Sequence, residues 1–243
     1  HREQSGSSAT LSVESTTLSK MHRGLNSKIL EKGQTCKPFD WDYDVHLLAK
    51  NTKNPLLYLV IIAMEEFDLL SSLNINEDVL TKFCQCIEKG YRSSNTYHNK
   101  IHAADVVQAT THFLIHSPNA NLNELERFSL IISAAIHDYD HPGVNNSFLI
   151  NTEDPLALAY NDRSPLENHH LAMAFIAMSD DSCKITKQFR LEDQKKFRKI
   201  CISTVLATDM AKNFEIVGQF KNLIQDNPKK YIKWDDNTHV ELI

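Results

Sequence analysis

Ala134-Ala135-Ile136-His137-Asp138-Tyr139-Asp140-His141-Pro142-Gly143 is the stretch on which both the fold and the chemistry turn. Its first three residues close an apolar helical segment that begins near Glu124. Pro142-Gly143 then stops the helix and turns the chain. Between them stand four titratable side chains, His137, Asp138, Asp140 and His141. Charged groups at the end of a buried helix are costly unless they meet a metal or one another. Histidines alone would suit the negative end of a helix dipole, but the two aspartates oppose it. Imidazole and carboxylate together suit zinc, manganese or iron.

Outward from this stretch the pattern is helical. Apolar residues Trp41, Val45 and Leu48 follow a helical rhythm, and Pro55 suits the start of a helix over 56–70 that is apolar nearly all round. Asn76 is placed to cap a helix over 77–91 with Val79, Leu80, Phe83, Ile87 and Tyr91 on its buried face. Further helices are predicted over 101–116, 124–137, 165–178, 192–207 and 210–225, with Asn123 and Ser164 as caps and Pro165 in a first turn. With 6 Gly and 7 Pro, and no alternating strand pattern, the class is all-α and the architecture a compact multi-helix bundle. Residues 1–38 form a Ser/Thr-rich lead-in or linker that cannot bury enough surface to offset its ordering entropy, and residues 39–243 form the folded part.

Composition narrows the function. A net charge of -5 speaks against a phosphate-backbone binder, so no nucleic acid is expected as partner. No run reaches the roughly 20 apolar residues that cross a bilayer. The 5 cysteines are odd in number and lack a zinc-knuckle spacing, which reads as reduced thiols in a cytoplasmic protein. Cys84 and Cys86 point to different faces of their helix. Of the 12 histidines, His1, His22, His46, His116 and His239 have no patterned partner, and His112 reads as structural.

Two further clusters do carry a pattern. In Tyr97-His98-Asn99-Lys100-Ile101-His102 the two histidines stand four apart, so that on a helix both could ligate one ion. The spacing is half of a zinc-helix motif without its glutamate. In Leu166-Glu167-Asn168-His169-His170 a carboxylate and two imidazoles head an apolar helix, where Glu167 also simply suits a first turn.

Together with Tyr160-Asn161-Asp162 and Leu206-Ala207-Thr208-Asp209-Met210, these strings occur in one order that resembles the catalytic domain of class I cyclic-nucleotide phosphodiesterases, within the HD metal-dependent phosphohydrolase superfamily. The resemblance runs from about Trp41 to the end, and the Tyr91–Asn99 segment is most similar to cAMP-preferring members. It implies hydrolysis of a 3′,5′-cyclic nucleotide, cAMP over cGMP, to the 5′-monophosphate. His98 becomes the general acid rather than a ligand. His102, His137 and Asp138 bind zinc, and Asp138 also reaches a second ion, magnesium or manganese. His141, Glu167 and Thr208 hold metal-bound waters, while Tyr97, Asn146 and Met210 line the nucleotide pocket. The implied mechanism is attack by a hydroxide shared between two metals, with His98 protonating the 3′ oxygen. A fourth metal ligand and the purine clamp are expected beyond Ile243, so residues 1–243 alone are expected to be inactive. A homodimer, or a regulatory domain outside the chain, is compatible with the resemblance. Asp140 is given no role.

Overall fold

The structure is a computed structural model that describes residues 36–117 and 121–226. Of the expected lead-in, residues 1–35 lie outside it, as do His1, His22 and His239. The described residues form helices and no strand: α1 (Val45–Asn51), α2 (Pro55–Glu66), α3 (Leu69–Ser72), α4 (Glu77–Gly90), α5 (Lys100–His116), α6 (Glu124–Ile136), α7 (Asn146–Asn151), α8 (Pro155–Ala159), α9 (Pro165–Ser179), α10 (Leu191–Ala207), a 3-10 turn (Met210–Lys212) and α11 (Asn213–Asp226).

α2 is the hub. Every residue from Pro55 to Met64 is buried, and the helix packs against α4, α5 and α6. A helix apolar on all sides needs partners on all sides, which is why it sits at the centre. α6 lies between α5 and α10, burying Phe128 beside Phe197 and Phe189 with ring separations of 5.5 and 5.7 Å. A smaller apolar cluster of Leu149, Ala157 and Leu166 joins α7, α8 and the start of α9. That cluster fixes the approach of Glu167 to the end of α6.

The caps follow local chemistry. Asn76 Oδ1 accepts from Val79 N, and Asn123 forms a reciprocal capping box with Glu126. Pro165 occupies the first turn of α9, but Ser164, at φ 45°, makes no cap bond, and its hydroxyl donates to Asp209 Oδ2 instead. The single helix expected over 56–70 is two. Asp68 takes a left-handed conformation, φ 51°, and restarts the chain as α3. The short helices α7 and α8 escaped the periodicity reading, because five or six residues hold too few turns to show one. The helix expected over 210–225 opens as the 3-10 turn. On α4, Val79 is only half-buried, while Cys84 and Glu88 belong to the buried side.

Candidate metal centre

Three segments converge at the end of α6. His137 caps that helix, and the following turn is closed by Tyr139 N donating to Ile136 O and His141 N donating to Asp138 O. Asp140 (φ 57°) and Gly143 (φ 88°) are left-handed, which folds the segment tightly enough to aim Asp138 and His141 to one side. α5 supplies His102 from its first turn. His98 is not on the helix, as i,i+4 pairing would have it. It lies in the turn just before the cap residue Asn99, whose Oδ1 accepts from Ile101 N.

The donor atoms meet closely. His102 Nε2 and His137 Nε2 are 3.1 Å apart, and Asp138 Oδ2 lies 3.4 and 3.2 Å from them. His137 Nδ1 lies 2.8 Å from Ala134 O, so its proton sits there and Nε2 presents a lone pair. His170 repeats the arrangement on the other side. Its Nδ1 lies 2.7 Å from Tyr139 O, while its buried Nε2 has no hydrogen-bond partner and faces Asp138 Oδ1 at 3.7 Å. Lone pairs directed at a carboxylate need a cation between them. Two groups of possible donors converge, His102–His137–Asp138 and Asp138–His141–His170, with Asp138 common to both. In the second, His141 Nδ1 already accepts from Gly143 N, so its Nε2 carries the proton and suits holding a metal-bound water. The residues present therefore fit divalent metal ions.

Without an ion, protons take the cation's place. Burial alone would raise the pKa of Asp138, but hydrogen bonds from His102 and His137 outweigh it and hold the carboxyl far below the usual range. Burial likewise opposes a charged His137, yet the hydrogen bond and charge of Asp138 raise its pKa. His170 is pushed down to about 3, mainly by burial.

His98 stands apart from the ligand sets. Its Nε2 is 3.9 Å from Asp138 Oδ2, and its ring stacks on that of His141. Tyr97 is exposed and lays its ring 4.5 Å from His102. Asn146 joins α7 to α9 by donating to Glu167 Oε2 at 2.9 Å and accepting from Leu166 N at 3.0 Å. Glu167 is buried, and burial raises its pKa. Thr208 turns its hydroxyl into its own helix, donating to Val205 O, and Met210 stands largely in solvent. Their tie to the centre runs through Asp209, which Ser164 holds at the head of α9.

Asp140, given no role from sequence, is a brace. It accepts from Arg92 Nε and lies 2.9 Å from His169 Nε2, linking the His98 segment to α9. Tyr91 is a second brace, donating to Ala135 O and accepting from Asp138 N. Neither bond has a local sequence signature. His112 and His116 each place Nδ1 2.8 Å from a backbone carbonyl, of Phe39 and His112 respectively, as structural or capping histidines do.

Comparison with known proteins gives the family. The sequence model of the family described as 3′5′-cyclic nucleotide phosphodiesterase matches residues 97–243, and the chain belongs to that family. Among its relatives are a Dictyostelium discoideum protein named 3′,5′-cyclic-AMP phosphodiesterase 4, 42% identical over 78% of this chain, and a Mus musculus protein named high affinity cAMP-specific and IBMX-insensitive 3′,5′-cyclic phosphodiesterase 8A, 42% identical over 76%. The chain spans 18% and 23% of their lengths. The phosphodiesterase domain of a RhoPDE fusion protein from Salpingoeca rosetta superposes with a TM-score of 0.78 at 28% identity, over 87% of this chain and 66% of that one. LmjPDEB1 in complex with IBMX gives 0.76 at 26%, over 90% of this chain and 67% of that one. No helix among the described residues is long and apolar enough to cross a membrane.

Proposed function

We propose that the chain carries the metal and acid half of a 3′,5′-cyclic-nucleotide phosphodiesterase that converts cAMP, in preference to cGMP, to 5′-AMP, within a cytoplasmic protein. The observation that carries this is the separation of His98 from the ligand sets. An imidazole beside the cluster, 3.9 Å from Asp138 but in neither group of converging donors, is free to move a proton. The cAMP preference rests on the names of the relatives.

Zinc on His102, His137 and Asp138, with magnesium or manganese sharing Asp138, would supply an activated water and neutralise phosphate charge. The side chains do the rest. His98 donates the Nε2 proton to the departing 3′ oxygen, since an unprotonated alkoxide leaves poorly. Burial lowers the pKa of His98, which favours giving the proton up, while the charge of Asp138 opposes this and keeps the imidazolium accessible. His141 and Glu167, both buried and polar, would hold metal-bound water, with Asn146 orienting Glu167. Thr208 would do the same by rotating its hydroxyl away from Val205 O. Tyr97 and Met210, both exposed, would line the nucleotide pocket.

The test is cAMP and cGMP turnover by the full protein together with its metal content. Faster hydrolysis of cAMP to 5′-AMP, abolished by a chelator, is the expected result. Turnover that survives complete metal removal contradicts the reading.

A further inference from the structure

The segment Tyr91–Asn99 carries His98 but has no helix of its own, so its shape must come from specific bonds. Asn95 makes four of them. Its backbone N–H donates to Arg92 O at 3.1 Å, and its backbone carbonyl accepts from Asn99 Nδ2 at 3.0 Å. Its side-chain amide spends both hydrogens on backbone carbonyls: that of His98 at 3.0 Å and that of His141 at 2.9 Å. One planar group thus holds the two residues whose rings stack at 4.0 Å and 10°.

The other face of Asn95 is equally constrained. A Cβ on Gly143 would come within 3.0 Å of Asn95 Oδ1, and Gly143 has φ 88°. Gly143 N in turn donates to His141 Nδ1 at 2.9 Å. Asn95, His141 and Gly143 close a ring of contacts beside the backbone of His98, and His141 carries that ring to the His98 imidazole by stacking on it. Only a carboxamide fits it. Two donors on one nitrogen are required, which aspartate lacks and serine cannot supply.

We propose that Asn95 is a positioning residue for the proton donor: its amide fixes the backbone of His98 against that of His141 and so sets where His98 Nε2 points. The inference rests on the assignment of His98 as the acid for its kinetic consequence, but the positioning itself can be read separately.

The experiment compares Asn95→Asp, which keeps size and removes both donors, with Asn95→Ala, in the full protein with its metals. Both variants are expected to keep bound metal, while the two carbonyls left without a donor lower the melting temperature modestly. A displaced donor costs up to about 10²-fold in kcat, with KM nearly unchanged. In a His98→Ala background the same changes are expected to cost nothing further, because residues acting through one group are not additive. Nitrogen-edited spectra of the imidazoles supply the independent reading, with His98 and His141 resonances moving and those of His102 and His137 staying. Unmoved His98 and His141 resonances, loss of metal, or an equal loss of kcat in the His98→Ala background would each overturn the proposal. A His98→Ala protein with full turnover overturns the acid assignment instead, and the spectra still decide the role of Asn95.

Discussion

His98 and His141 lie ring over ring, 4.0 Å between centroids and 10° from parallel. Two imidazolium ions at that distance repel by about 4 kcal/mol at an effective dielectric of 20, so only one ring carries charge. Gly143 N donates to His141 Nδ1, which commits His141 to its neutral form with the proton on Nε2. Burial, and then the charge of His98, push its pKa down to about 4. In the metal-free protein, His141 is expected to stay neutral, as the Nε2–H tautomer, until the pH falls to that region. Nitrogen chemical shifts of the imidazoles measure this directly. Protonation of His141 near pH 6, or a proton on Nδ1, contradicts the arrangement.

Substitution separates proton donor from ligand. His98→Ala is expected to lower kcat by roughly 10²- to 10⁴-fold, the usual contribution of general acid catalysis, while leaving metal content nearly intact. Asp138→Ala is expected to lose both ions, because Asp138 is the residue common to the two donor sets. Elemental analysis beside steady-state rates distinguishes the two. Loss of metal on His98→Ala returns His98 to the ligands.

Gly90 is fixed by crowding rather than by its backbone angle. A Cβ there would sit 2.0 Å from the Tyr139 ring. Gly90→Ala must push Tyr139 aside, and overpacking of this kind costs about 1–3 kcal/mol. The carbonyl of Tyr139 is also what orients His170, and the residue follows Asp138 in the chain. The variant is therefore expected to melt at lower temperature and to bind zinc more weakly, read by thermal unfolding and by zinc titration. Unchanged values of both would mean that the ring yields at no cost.

Sequence carried the helices and the ligands further than it carried what holds them. Asn76 and Asn123 cap helices because a side chain reaches three residues along its own chain, which is a local event. His137 and Asp138 drew notice because titratable groups at the end of a buried helix are costly, whereas spacing alone made His98 and His102 equal candidates and only the family resemblance set His102 with His137 and Asp138. The braces were not legible. Asp140 reaches Arg92 across 48 residues, Asn95 reaches His141 across 46, and Tyr91 reaches Ala135 across 44. No spacing rule encodes such pairs, since their proximity exists only once α4, α5 and α6 have packed. The break at Asp68 was hidden for a related reason. Leu69 and Leu70 resume the apolar pattern of α2 after Glu65-Glu66-Phe67-Asp68, and the left-handed angle of Asp68 starts them as a separate helix.

Glu88 is the sharpest case of a long-range bond with a measurable consequence. It lies on the buried side of α4, and its Oε1 accepts from Leu56 N at 3.0 Å, serving the first turn of α2 from 32 residues away. Burial, opposed by the backbone N–H of Leu56 and by the charge of Lys100, pushes its pKa up from 4.5 to about 7. Between those values the folded protein holds a proton that the unfolded chain has released. The stabilisation is therefore complete below about pH 4.5 and is lost as the pH rises to about 7. A difference of that size corresponds to at most about 3 kcal/mol. Glu88→Gln keeps an oxygen for Leu56 N and removes the titration. Relative to the parent, the variant is expected to gain stability as the pH is raised from 4.5 to 7, and to remain the more stable protein above it. Denaturant unfolding of both proteins across that range reads the effect. Parallel curves would mean that the charge of Glu88 is satisfied by its neighbours, with the N-terminus of α2 and Lys100 outweighing burial.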